Sequence, residues 1–241
     1  KERRSFFDRL FSVINIDYLN NLQEYTRVLK QRNALLVSAN KKQIIEENFS
    51  LWEEKLSTLA LKLWDLRKQL FFDYKKSLAE TAKKYENGLS LDIVYAKTFD
   101  NKKEYQTKLK RLREKDILFG TTSTGPHKDR IEVFWENKNI RDHGSQGEHK
   151  IALVLLKLTE MNLIKKKTGI HPTLLLDDVF AKLDLSRSEK LVSYLNSIEL
   201  KPKEPIQTII TTTDIVSVKQ SGIFFNDKEI QSHKLELPWN T

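Results

Sequence analysis

Apolar residues in the first half of the chain recur at helical steps. From Trp52 they fall at Leu56, Leu59, Leu63, Leu66, Leu70, Tyr74 and Leu78, spacings of three and four that line one side of a helix. Upstream, Leu22, Leu29 and Leu36 repeat every seven residues, with Tyr18 and Tyr25 on a neighbouring track. Up to about residue 116 there is a single glycine, Gly88, and no proline, so this half predicts long helices rather than strands. A break at Asn48 to Ser50 separates the two stripes, which suggests antiparallel helices packed as a hairpin or small bundle. The rival reading, a coiled-coil dimer, needs a longer and more regular repeat.

The pattern changes in the second half. Glycine and proline cluster at Gly120, Gly125-Pro126, Gly144, Gly147, Gly169 and Pro172. Ile131 to Trp135 is strand-like, and Glu136-Asn137-Lys138-Asn139 reads as a hairpin turn. Residues 148 to 167 predict a helix, with Ile151, Val154, Leu155, Leu158, Met161 and Leu163 as its apolar face. Lys165-Lys166-Lys167 and then Gly169 provide a dipole-compatible, left-handed stop. Thr173-Leu174-Leu175-Leu176-Asp177-Asp178 is an apolar run suited to a strand buried on both faces. A helix from Leu185 to Glu199 follows, capped by Asp184 or Ser186, and then a second strand, Gln207 to Thr211. Strand, helix, strand predicts a parallel pair with a right-handed crossover. The expected fold is α/β, a parallel sheet with flanking helices over residues 117–241, joined to a helical arm over residues 1–116.

Composition narrows the function classes. The chain has 241 residues, 39% hydrophobic, and a net charge of +9 from 42 basic and 33 acidic residues. That excess suits a phosphate-bearing partner and equally suits simple solubility. Cysteine is absent, which rules out disulfides, thiolate zinc sites and a cysteine nucleophile in this chain, and fits a reducing cytoplasm. No run of 18 apolar residues could form a membrane-spanning helix. Met161 is the only methionine, and the chain opens in mid-pattern, so an upstream segment is expected.

Three segments can carry chemistry. Asp177 and Asp178 end an apolar strand, where side chains emerge into the ligand crevice of a parallel sheet. One carboxylate can orient water on magnesium, and the next can polarise the water that attacks a phosphate; the bland alternative is a loop cap. Gly144-Ser145-Gln146-Gly147 precedes the long helix and can offer N–H groups and a hydroxyl to an anion; otherwise Ser145 is an ordinary N-cap. Thr211-Thr212-Thr213-Asp214 ends the second strand, either as a phosphate sensor or as a Thr-rich turn. Their order is the order in which ABC-type ATPases use such elements.

With these segments in place, a resemblance becomes specific. Lys30 to Leu36, Gly125-Pro126-His127-Lys128-Asp129, Ser145-Gln146-Gly147-Glu148 and Leu174 to Asp178 resemble the RecF family of bacterial recombination-repair proteins, as does Arg3-Arg4-Ser5-Phe6-Phe7-Asp8. The resemblance implies an ABC/SMC-like ATPase head with a helical second lobe. It further implies two heads closing on ATP and Mg2+ to clamp DNA, with RecO and RecR as partners in recombinase loading, in the bacterial cytoplasm near the nucleoid. Carried over by position, Ser145, Gln146 and Gly147 form the signature motif, which contacts ATP held by the opposite protomer of an ATP-dependent homodimer. Asp177 is then the magnesium carboxylate and Asp178 the catalytic one. Asp184 falls in the D-loop, and Thr213 stands where transporters of the superfamily have a switch histidine.

Three departures qualify the match. Glu148-His149-Lys150 replaces the usual Gln-Gln-Arg, Lys182 replaces an acidic residue, and no Gly-x-x-x-x-Gly-Lys-[Ser/Thr] loop occurs. This chain alone is therefore expected to lack ATPase activity. The alternatives are a nucleotide-independent DNA- or protein-binding module with a vestigial ATP site, and an overcoming-lysogenisation-defect-type ATPase. The second of these needs a nuclease cluster that nothing after Asp214 supplies. Lys165 to Lys167 and Arg111 to Arg113 are candidate DNA contacts or solvated charge. His127 is a turn residue or a catalytic group, and the scattered histidines show no metal-ligand spacing.

Overall fold

The computed structural model of the chain describes residues 2–40, 47–181, 183–199, 207–213, 220 and 222. It begins with three helices, α1 (Glu2–Ile14), α2 (Ile16–Asn40) and α3 (Glu47–Tyr85). At about 1.5 Å per residue, the 39 residues of α3 extend roughly 58 Å. Asn21 of α2 donates to the Leu59 carbonyl, Arg32 of α2 pairs with Glu53, and Tyr18 accepts from Arg67. Partner numbers fall along α3 as they rise along α2, so the two helices are antiparallel, as the stripes predict. The expected break at Asn48 to Ser50 instead lies within the start of α3.

The stripe on α2 also differs from expectation. Its buried side chains are Tyr18, Asn21, Tyr25, Val28, Arg32 and Leu36, whereas Leu22 and Leu29 are only partly buried. Two polar residues sit inside the true stripe because partners await them. Arg32 is fully buried and bonds to Asp116 at 2.9 Å, Thr122 at 2.7 Å and Glu53 at 3.2 Å. From α1, Phe7 and Phe11 pack on Phe71 of α3, and Phe7 meets Tyr74 edge-on at 5.0 Å. Each such ring contributes about 2 to 3 kcal/mol through burial.

A strand then appears where the sequence predicts only helices. β1 (Leu91–Tyr95) pairs antiparallel with β2 (Ile131–Trp135), placing Ile93 opposite Val133. Helices α4 (Lys102–Arg111) and α5 (Arg113–Phe119), and a single 3-10 turn at Pro126–Lys128, lie between them. β2 turns into β3 (Lys138–Asn139) through Glu136 and Asn137, whose φ angles are 47° and 62°. Two consecutive positive angles make this the two-residue turn whose twist matches that of the strands. Helix α6 (Ile140–His143) leads to α7 (Gln146–Thr168). α7 ends at Gly169 (φ 72°), whose N–H returns to the Lys165 carbonyl, the left-handed stop expected.

The last elements are β4 (Leu174–Asp177), α8 (Leu185–Glu199) and β5 (Thr208–Thr211). β4 and β5 are parallel, with Leu175 opposite Ile209 and Asp177 opposite Thr211. The α/β class with a parallel pair is as predicted, but burial on both faces is not. Leu174 and Leu176 point inward, whereas Leu175 is 69% and Ile209 47% exposed. Strand side chains alternate, so an apolar run is buried twice only where both faces are covered. Among the described residues, nothing covers the Leu175 face.

Candidate functional site

β4 and β5 deliver three side chains to one edge. Asp177 is exposed at the end of β4, beside Thr211 in the parallel register. The Thr211 hydroxyl donates to Asp177 Oδ1 and accepts from the Asp178 N–H at 3.1 Å, while the Thr211 carbonyl accepts from the same N–H at 3.1 Å. Asp178 has left the strand at φ 47°, a conformation that costs a non-glycine residue about 1 to 2 kcal/mol. Its Oδ1 is buried and has no hydrogen-bond partner. A buried acceptor without a donor is costly and uncommon.

The start of α7 forms a second centre. Ser145 is its N-cap: the hydroxyl accepts from the Glu148 N–H at 3.2 Å, and Glu148 Oε2 accepts from the Ser145 N–H at 2.8 Å. This reciprocal box explains why glutamate is compatible here. It occupies the acceptor side of the hydroxyl and leaves its proton able to donate. The Gln146 and Gly147 N–H groups lie in the first turn, where no intrahelical acceptor exists. Ser145 and Gln146 are exposed, whereas Gly147 is buried beneath Arg187. A Cβ on Gly147 would come within 3.0 Å of Arg187 Nη1.

Arg187 also joins this centre to α8. Its Nη1 reaches Asp184 Oδ2 at 2.8 Å, and its Nη2 is 3.7 Å from Glu148 Oε1. Asp184 precedes α8 and accepts the Arg187 N–H at 2.8 Å, so of the two expected caps it is Asp184 that caps the helix. That backbone bond, with the guanidinium, holds the Asp184 carboxyl below its ordinary range. Thr213 lies exposed in a bend two residues past β5, while Asp214 and Lys182 fall outside the described residues. The structure thus joins Asp177 and Asp178 through Thr211, and Ser145 to Asp184 through Glu148 and Arg187.

The glycine-proline-histidine segment has a different role. His127 Nδ1 lies 2.7 Å from the Tyr25 hydroxyl and Nε2 lies 2.9 Å from the Thr122 carbonyl. A carbonyl only accepts, so Nε2 carries the proton and Nδ1 accepts from Tyr25. Burial pushes His127 down to about 4, leaving a neutral ring with both nitrogens engaged. Next to it, Asp129 receives Trp64 Nε1, Arg67, the Tyr95 hydroxyl and the Thr98 hydroxyl, all at 2.8 to 2.9 Å. Burial pushes the Asp129 carboxyl up, and Arg67, Tyr95, Thr98 and Trp64 pull it back. Arg67 further donates to the Pro126 carbonyl and to Asp8. This segment cements α1, α2 and α3 to β1 and β2.

Among the described residues, no three His, Cys, Asp or Glu side chains could together hold a metal. A magnesium ion brought in by nucleotide phosphates needs only one or two carboxylates, and the exposed Asp177 could supply one. No described helix is long and apolar enough to cross a membrane. Of the candidate DNA contacts, Lys167 pairs with Asp73 and Arg113 with Glu53.

Comparison with known proteins bears on these elements together. No family model matches the chain. It is 31% identical over 224 residues to the DNA replication and repair protein RecF of Ruminiclostridium cellulolyticum, covering 88% of this chain and 58% of that protein. It is 35% identical over 229 residues to RecF of Streptococcus equi subsp. zooepidemicus, covering 90% of the chain and 58% of the relative. A solved structure of the recombination mediator protein RecF with ATP, in the RecFOR pathway, superposes with a TM-score of 0.72 at 26% identity, over 89% of this chain and 58% of that one. The chain is similar to RecF proteins over about nine-tenths of its length. It spans about 58% of the length of these RecF relatives.

Three contact residues of this RecF-like site carry no local record of the contacts they make. Thr211 reads with its neighbours as a phosphate-sensing strand end or a turn, Lys150 stands out only as a departure from the usual arginine, and Arg187 gives no signal. Each acts through a partner distant in sequence or on another element, which no local pattern records.

Proposed function

We propose that the intact protein is a DNA-binding ATPase of recombinational repair in the bacterial cytoplasm. It dimerises on ATP to clamp DNA, with RecO and RecR as partners in recombinase loading. The observation that carries this reading is the Asp177–Thr211–Asp178 cluster at the open end of a parallel strand pair, with an unpartnered buried oxygen on Asp178. The similarity supports it, since RecF relatives are DNA replication and repair proteins and one solved relative carries ATP.

Bound Mg2+–ATP supplies the phosphoryl group and the cation that spreads its charge. Asp177 would hold metal-bound water through its free lone pairs, with Thr211 fixing one oxygen. Asp178 orients the attacking water and takes its proton. The Ser145 hydroxyl proton and the Gln146 and Gly147 N–H groups meet the terminal phosphate of the nucleotide held by the opposite protomer. Asp184 places Arg187 beside that contact, and Thr213 lies near the strand end facing the phosphate. Hydrolysis removes the bridge between heads, so the nucleotide shifts the population between closed and open dimers.

Asp178→Asn in the intact protein tests the assignment. The variant should bind ATP, remain dimeric in its presence and fail to turn over. Hydrolysis at the normal rate would remove Asp178 from the catalytic role.

A further inference from the structure

Lys150 lies one turn into α7, after the Ser145–Gly147 segment, and is half-buried. Its ammonium donates to two main-chain carbonyls, those of Asp178 and Ala181, each at 2.6 Å. These two carbonyls bound the short turn that follows β4, in which the Ala181 N–H also returns to the Asp178 carbonyl at 3.3 Å. The other side of Asp178 is held by β5, through its N–H on Thr211. The main chain of Asp178 is therefore clamped from both directions, its N–H by a strand and its C=O by a helix.

That clamp matters because Asp178 sits at φ 47°. A non-glycine residue stays in this region only where surrounding contacts outweigh the strain. Here two charge-assisted bonds converge on the turn. The same φ and ψ angles set the direction of the Asp178 side chain and of its unpartnered Oδ1.

We propose that Lys150 is a positioning residue for the hydrolytic step, holding Asp178 in its left-handed conformation and tying it to the helix that carries Ser145, Gln146 and Gly147. This rests on the reading of Asp178 as the catalytic carboxylate. Lys150 touches neither nucleotide nor attacking water. It fixes the angle from which Asp178 approaches, and it makes that angle depend on where the first turn of α7 stands. When a partner's nucleotide draws on that turn, the pull reaches Asp178 through one side chain.

The experiment uses the intact ATPase with Lys150→Met, Lys150→Arg and Lys150→Cys. Displacing a reacting group by about 1 Å costs on the order of 100-fold. Lys150→Met should lower kcat by roughly 10- to 100-fold, with the KM for ATP changed less than about twofold and ATP-dependent dimerisation retained. Lys150→Arg keeps two donors and should recover most of the rate. Lys150→Cys should be slow, and treatment with bromoethylamine, which rebuilds an ammonium on the sulfur, should restore turnover. In an Asp178→Asn background, Lys150→Met should cause no further loss, since both act through one carboxylate.

Normal kcat in a folded Lys150→Met protein would overturn the proposal. So would a loss that tracks melting temperature and ATP affinity and that aminoethylation fails to rescue. If Lys150→Met does not fold, the Cys variant before and after alkylation decides the same question. Should Asp178→Asn hydrolyse normally, the reading of Asp178 fails. A dead Asp178→Asn beside a normal Lys150→Met sinks the role of Lys150 alone.

Discussion

Mild acid should destabilise this fold through one side chain, His127. Its ring is neutral, with Nε2–H on the Thr122 carbonyl and Nδ1 accepting from Tyr25. Burial pushes its pKa down from 6.5 to about 4. Well above pH 6.5 the folded and unfolded chains both carry a neutral ring, and the group contributes nothing to pH dependence. As pH falls through the window from 6.5 to about 4, the unfolded chain takes up a proton that the folded chain refuses, so stability declines. At 1.36 kcal/mol per unit, the loss is about 2 kcal/mol at pH 5 and approaches roughly 3 kcal/mol below pH 4. Urea unfolding followed by the fluorescence of the four tryptophans at pH 7 and pH 5 reads the effect. His127→Gln retains a donor for Thr122 and an acceptor for Tyr25 without a titrating ring. The variant should lose about 2 kcal/mol less than the parent between the two pH values. Equal losses in both proteins would refute the assignment.

Two further substitutions probe the scaffold and the site. Gly125 has φ 130°, and a Cβ there would come within 2.3 Å of the Tyr105 hydroxyl and 2.7 Å of the Tyr25 hydroxyl. Gly125→Ala should therefore destabilise by at least about 2 kcal/mol in the same unfolding assay, from strain plus the clash, and an unchanged midpoint would contradict this. Thr211→Val preserves volume but removes the hydroxyl that spans Asp177 and Asp178. Losing such a support for a metal-side carboxylate should raise the Mg2+ requirement for ATP hydrolysis by roughly 10-fold or more; an unaltered Mg2+ titration would show the hydroxyl is dispensable.

How much a sequence reveals depends on how local each feature is. The α7 boundaries are legible because Ser145, Glu148 and Gly169 act within a few residues of themselves. The parallel pair β4–β5 is legible because α8 fills the interval between two apolar runs. β1 is not, because its partner β2 lies some 40 residues downstream, and its few apolar residues follow a very long helix. The α2 stripe is misplaced by its leucines because Arg32 and Asn21 look like surface residues until Asp116, Glu53 and the Leu59 carbonyl are brought to them. The Lys30–Leu36 and Gly125–Asp129 segments carry the family resemblance, yet their side chains serve the junction between arm and sheet. A motif can thus identify a family through its scaffold as readily as through its chemistry. At the site, Asp177, Asp178 and Ser145 are legible as strand-end and helix-start residues. Thr211, Lys150 and Arg187 require coordinates, because their roles are contacts between elements.

In the proposed dimer, one protomer's Asp178 works with the other protomer's Ser145. Mixing two intact variants expected to be inactive, Ser145→Arg and Asp178→Asn, puts that pairing to the test. In a two-fold dimer the mixed species has one site with both residues native, so random pairing should restore roughly a quarter of wild-type ATP hydrolysis. If the mixture stays as inactive as either variant alone while mixed dimers form, Ser145 and Asp178 do not share a site across the interface.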